Sequence, residues 1–165
     1  MRRTQPAFFH DPAKAALLAP AIFVVHACEE APGFVAWFNH LVPGGISQEL
    51  FLTVNMTAFA ITLLIALLTA GIGGRALLLL AVAWLSFLMF ANAVFHLTGT
   101  VVHRQYAPGT VSATVLYLPY FGWFVSLIRS RCSVSAISLA SITVLAGLPM
   151  YVHGYLIVFA GSRLF

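Results

Sequence analysis

Charge is what this sequence lacks. Of its 165 residues only 7% are Asp, Glu, Lys or Arg, eight basic and four acidic, against roughly 25% in a soluble domain. So few cannot cover a water-facing surface. Cysteine is scarce as well. Cys28 and Cys132 stand alone, with no CxxC and no metal-type spacing, which excludes a disulfide scaffold. The formal charge of +4 does not point to nucleic acid, because the basic residues form no stripe with interleaved aromatics. HExxH and GxSxG are absent, and there is no internal repeat or low-complexity tract. A ferritin-like di-iron centre wants four carboxylates and two histidines. The chain has only Asp11, Glu29, Glu30 and Glu49, and Asp11 belongs to the opposite side of the bundle from the rest.

What is present is apolar. Hydrophobic residues make up 61% of the chain and the mean hydropathy is +0.98. The expected fold class is all-α, a polytopic transmembrane helix bundle forming a single integral membrane domain over 1–165. Five apolar runs approach membrane length, at about 15–31, 51–72, 76–99, 111–128 and 134–160. Pro43-Gly44-Gly45, the glycines at 71, 73 and 74, the segment from His103 to Gly109, and Arg129-Ser130-Arg131 separate them.

The positive-inside rule orients this bundle. With the N-terminus in the cytoplasm, Arg2, Arg3, Lys14, Arg75, Arg129 and Arg131 face inward, and only Arg104 and Arg163 face outward. An odd number of spans then leaves Phe165 outside. A competing expectation is a cleaved leader. Arg2 and Arg3 precede an apolar run, and Val25-His26-Ala27-Cys28 weakly resembles a lipoprotein cleavage box. That reading would remove His26 and leave four spans.

The residues that cost energy in a bilayer are few. An ionisable side chain at the centre of a membrane helix costs about 2.5–3.5 kcal/mol. His26, Glu29 and Glu30 stand at i, i+3 and i+4, so all three project from one helix face. The plain alternative is that the two glutamates reach the interface and are solvated, since Pro32 favours an end to the helix at residue 31. The apolar and aromatic stretch from Phe34 to Phe38 argues for cover instead. On the third span Asn92 and His96 are again i, i+4. Tyr106, Pro108 and Gly109 form a turn before the fourth span, where Thr110 and Ser112 are candidate N-caps. His153 lies late on the fifth span. The alternating span directions bring His26, Glu29, Glu30, Asn92, His96, Tyr106 and His153 to one depth, in the outer half. Pro20, Pro119 and Pro149 interrupt three spans and can bend them to open a cavity.

These residues carry a resemblance. His26-Ala-Cys-Glu29-Glu30 is an HxxEE motif, Asn92-Ala-Val-Phe-His96 an NxxxH motif, and Tyr106-Ala-Pro108-Gly109-Thr-Val-Ser112 is close to YxPGxxT with Ser in the last place. In that order the chain resembles the HXXEE family of small bacterial integral membrane proteins, over roughly residues 15 to 160. The resemblance implies a bacterial cytoplasmic membrane and a polar motif set, without a reaction.

Two chemistries suit the set. Imidazole with carboxylate suits one zinc or iron ion, held by His26, Glu30 and His96, with His153 in reach on the fifth span. Metal-free acid–base work needs less. Two adjacent carboxylates in a poorly hydrated place do not both ionise cheaply, so one can act as an acid near neutrality. Glu29, Glu30, His26, His96, Asn92 and Tyr106 are the candidate catalytic residues. Arg104, Ser112 and His153 are candidates for binding substrate, with Arg104 and the N-terminus of the fourth span placed to hold an anionic headgroup. The expected function is an intramembrane enzyme acting on a lipid or other small apolar, membrane-dissolved substrate. Membrane lipids are then its partners, and nucleic acid is not. The alternatives are a small proton-coupled carrier and a bundle subunit whose polar network only fastens helices.

Overall fold

In the computed structural model, residues 10–163 are described. Arg2, Arg3 and Phe165 lie outside them. Among the described residues the chain is helical apart from short connections, without strands. Five helices are long and apolar enough to cross a membrane: α1 (Pro12–Glu30), α3 (Gln48–Gly71), α4 (Arg75–His103), α5 (Thr110–Cys132) and α6 (Ala136–Ala160). A short helix, α2 (Phe34–Leu41), sits between the first two. The fold is an all-α bundle of a membrane protein, and its outer surface carries apolar side chains such as Leu52, Val54, Met56, Leu64, Leu67, Ile137, Val144 and Leu145.

The helix ends follow local chemistry. Asp11 accepts from the Ala13 N–H at 3.0 Å with Pro12 at the first helical position, so α1 starts three residues before the apolar run does. Ser47 and Ser135 cap α3 and α6 in the same way, accepting from Leu50 and Ser138 at 3.0 Å. Helix α4 runs past the expected end at residue 99. Gly99 and Thr100 look like a stop, but Val101 and Val102 continue the helix until Arg104 turns left-handed at φ 51°. Helix α5 also runs longer than expected, since Arg129 and Arg131 in its last turn suit the negative helix end.

Around the bundle, α3 packs on α1 and on the start of α4, while α4 packs on α5 and α6. The first turns of α5 lie between α1 and α4 and touch both. The larger core runs through the half of the bundle around Phe23, Leu85, Met89, Phe121, Phe124 and Ile128, with Phe90 stacked on Phe121 at 5.2 Å. Helix α2 builds a second core, from Trp37 and Phe38 against Phe95, Ala107, Ile157 and Val158. It therefore covers the end of the bundle where α1 stops and α5 begins. Helices α4 and α5 each contain one π-helical turn, Ser86–Ala91 and Ala113–Tyr117. Such turns shift the register of every side chain that follows and often mark functional sites. Here one directly precedes Asn92 and the other directly follows Ser112.

Candidate functional site

Three motif-bearing segments meet at the end of α1. Glu30 Oε1 lies 3.0 Å from His96 Nε2 of α4 and 3.4 Å from His26 Nε2, one turn back on α1. All three residues are buried, with His96 at 0%, His26 at 1% and Glu30 at 6% exposure. Neither imidazole places an N–H in line with the carboxylate, and both Nε2 atoms and His96 Nδ1 have no aligned hydrogen-bond partner. The two histidine rings meet edge-on at 5.1 Å. The Tyr117 ring lies 4.2 Å from His26, and its buried hydroxyl has no protein partner.

Gly109 makes this approach possible. Its φ is +102°, a conformation that L side chains rarely adopt, and a Cβ there would lie 2.7 Å from His96, 2.9 Å from His26 and 3.1 Å from Glu30. The loop around it is stitched to α4. Thr100 accepts from the Ala107 N–H at 3.1 Å and bonds the Thr110 hydroxyl at 2.8 Å. The turn after α1 packs on the same loop, since a Cβ at Gly33 would come within 3.1 Å of Pro108. Phe34 of α2 closes over His96, with ring centres 5.9 Å apart.

The two adjacent glutamates do not share one site. Successive helical residues point about 100° apart, and Glu29 turns instead toward the start of α5. Its two oxygens accept from the Val111 N–H at 2.9 Å and the Ser112 N–H at 2.6 Å, and the Tyr106 hydroxyl also donates to it. The expectation that Thr110 or Ser112 caps α5 is therefore corrected. The N-cap residue is Gly109, without a side-chain cap bond, and the cap is the carboxylate of Glu29, reaching over from α1. A carboxylate at a helix N-terminus meets both the free N–H groups and the positive end of the dipole. For the same reason that helix end does not hold an anionic headgroup with Arg104. Its N–H groups are taken, and Arg104 is exposed at the end of α4. Half-exposed Tyr106 has its hydroxyl pushed up to about 12, by desolvation and then by its bond to the Glu29 carboxylate, so it remains a donor throughout the ordinary pH range.

Ser112 joins the two halves. Its N–H binds Glu29, and its hydroxyl stands 2.8 Å from His26 Nδ1 and 3.3 Å from the Gly109 carbonyl. Asn92 is half-buried with an unpartnered Oδ1 and makes no bond to either glutamate. His153 is half-buried on α6 and stands outside the converging group. That group is His26, Glu30 and His96, one ligand atom from each lying within 4.8 Å of the others. Both cysteines are free. Sequence reasoning missed Tyr117 and Thr100, and read Gly109 only as part of a turn. Tyr117 is five residues after Ser112, a spacing that shares a face only through a π-helical turn.

A family model described as a protein of unknown function with an HXXEE motif matches residues 17–124. The match takes in His26, Glu29, Glu30, Asn92, His96, Tyr106 and Ser112, and it stops before α6 and His153. No curated protein and no solved structure matches the chain.

Proposed function

The chain belongs to the HXXEE-motif family, and we propose that the motif set forms the reactive centre of an intramembrane enzyme. The Glu30, His96 and His26 cluster does acid–base chemistry on a lipid or other membrane-dissolved substrate, and Ser112 holds His26 beside the other two. The single observation that carries this reading is Glu30, a carboxylate 6% exposed and set between two buried imidazoles. Among the described residues no Lys or Arg pairs with it. A fastening network would have its donors and acceptors matched, since an unmatched buried polar group costs about 1–3 kcal/mol. Here His96 Nδ1, the Tyr117 hydroxyl and Asn92 Oδ1 are unmatched.

A cavity of about 160 Å³ opens between α4 and α6, lined by Phe95, Thr98, Met150, Tyr151 and Tyr155 among others. Phe95 also contacts the His96 ring at 5.0 Å, so this cavity is the place we assign to the apolar part of the substrate. The carrier reading asks for exchangeable groups along the whole bundle. In the half away from the cluster, the buried polar side chains among the described residues are hydroxyls, namely Thr62, Thr69 and Ser86, which do not exchange protons near neutrality. We further place the protein in a bacterial cytoplasmic membrane with its N-terminus inside. Lys14, Arg75, Arg129 and Arg131 sit at the bundle end away from the cluster, and Arg104 and Arg163 at the cluster end.

The test compares lipid extracts of cells expressing the wild type or Glu30→Gln, at equal levels of inserted protein. We expect at least one lipid species to change with the wild type and not with the variant. Identical extracts from the two would sink the enzyme reading.

A further inference from the structure

We propose that His26 Nε2, His96 Nε2 and the Glu30 carboxylate bind one divalent transition-metal ion, zinc or ferrous iron. The inference names the cofactor of the site described above and rests on the reading of that site as a reactive centre. Three independent features carry it.

The first is the tautomer of His26. The Ser112 hydroxyl stands 3.3 Å from the Gly109 carbonyl and 2.8 Å from His26 Nδ1. If its hydrogen is directed at that carbonyl, the serine offers His26 only a lone pair, and Nδ1 then carries the imidazole hydrogen. Nε2 of the neutral ring is then left with a lone pair. That lone pair stands 3.4 Å from a carboxylate oxygen, which has only lone pairs of its own to offer. A positive centre between them turns this repulsion into attraction. Fixing a metal-binding histidine through its other nitrogen is the usual second contact of such ligands.

The second feature is distance. Metal–nitrogen and metal–oxygen bonds of about 2.0–2.1 Å put neighbouring ligand atoms about 3.3 Å apart in a tetrahedron and about 3.0 Å apart in an octahedron. Glu30 Oε1 stands 3.4 Å from one imidazole nitrogen and 3.0 Å from the other. These match two of the three edges of such a shell, and the three ligand atoms lie within 4.8 Å of one another.

The third is charge. Glu29 is met by two backbone N–H groups and a phenol. Glu30 is met by neither, only by two imidazoles, and a buried carboxylate in a bilayer is expensive. A divalent ion offsets it. Two histidines and one carboxylate also leave coordination positions open, as catalytic zinc sites and non-haem ferrous sites do.

The experiment is metal analysis of the full chain purified in detergent without chelator, followed by stripping and titration with Zn²⁺, Fe²⁺ and Mg²⁺ separately. We expect about one equivalent of zinc or iron per chain. His153→Gln should retain the metal and Glu30→Gln should lose it, while Ser112→Ala binds about 10–100-fold more weakly. If Glu30→Gln fails to insert, Co²⁺ added to the stripped wild type supplies an independent readout, through the visible absorption of a protein-bound cobalt ion. Zinc and iron in the preparation distinguish the two ions. No metal above background, together with no zinc, iron or cobalt binding by the stripped protein, overturns the assignment. Metal retained equally by Glu30→Gln also overturns it, since the ion would then be held elsewhere. A lipid change that depends on Glu30 in a metal-free protein would leave the enzyme reading standing without the ion. A metal bound by Glu30 without any lipid change would do the reverse.

Discussion

The two halves of this bundle treat polar atoms in opposite ways. Away from the cluster, hydroxyls turn back onto their own helices. Thr62 donates to the Ala58 carbonyl at 2.7 Å, Ser86 to Val82 at 2.7 Å and Thr143 to Leu139 at 2.9 Å. All three also take part in a second contact across helices. Trp84 donates its indole N–H to Thr62 at 2.8 Å, and Ser86 reaches Thr143 at 3.4 Å. Among the buried side chains of the described residues there, Thr69 is the one left without a partner. At the other end the polar atoms face one another, and many stay unmatched. The first pattern fastens helices. The second leaves buried polar atoms without a match, which costs stability.

The contrast breaks most sharply at glycine. Gly109→Ala puts a methyl group at φ +102° within 2.7–3.1 Å of three site residues. We expect a loss of about 3 kcal/mol or more, through left-handed strain and overpacking together. Gly122 on the same helix has nothing within 4 Å of a built Cβ, so Gly122→Ala should be neutral or stabilise by up to about 1 kcal/mol. Thermal melts of the two variants in detergent check this. Equal melting temperatures would mean that the loop does not press on the cluster.

Glu29 provides the next largest effect. Glu29→Ala removes the cap of α5 and should cost about 1–2 kcal/mol. Tyr106→Phe removes one of its three donors and should cost about 0.5–1.5 kcal/mol. The pH dependence has a definite sign. Because the Tyr106 hydroxyl is pushed up to about 12, folding favours its neutral form. Its contribution is fully present below the ordinary phenol range near 10 and is lost as pH rises through about 12. Wild type and Tyr106→Phe should therefore melt with a constant difference from neutrality to about pH 10 and converge above it. A difference that shrinks already near neutrality would mean that another group controls the cap.

Much of this was legible in the residues. The five spans follow from long apolar runs, which a soluble chain would interrupt with charge far more often. His26 and Glu30 at i, i+4 already form one stripe, and span direction alone puts His96 at their depth. The separate fates of Glu29 and Glu30 were not legible. Adjacency suggested one shared proton, but the partner that divides them is a helix N-terminus 83 residues further on, and backbone N–H groups leave no mark in a sequence. Nor could helical periodicity place Tyr117, because the π-helical turn at Ala113–Tyr117 changes the period where it matters. Asn92 shares a helix face with His96, yet makes no bond to either glutamate. A face fixes direction and not reach.

The smallest effect belongs to the fastening half, and it sharpens the comparison by measuring what a matched pair contributes. Trp84 and Thr62 lie on different helices, and their hydrogen bond at 2.8 Å joins α4 to α3. The threonine hydroxyl also donates to its own helix, so neither polar atom is left over. Trp84→Phe, Thr62→Val and the double variant form a cycle whose interaction term isolates that bond. Hydrogen bonds between membrane helices average only about 0.6 kcal/mol, because the separated helices also find partners. We therefore expect a coupling near that value, read from chemical or thermal unfolding in detergent, and no change in the lipid extracts of expressing cells. A coupling of several kcal/mol, or a lost lipid change, would place this pair within the working part of the protein and dissolve the division between the two halves.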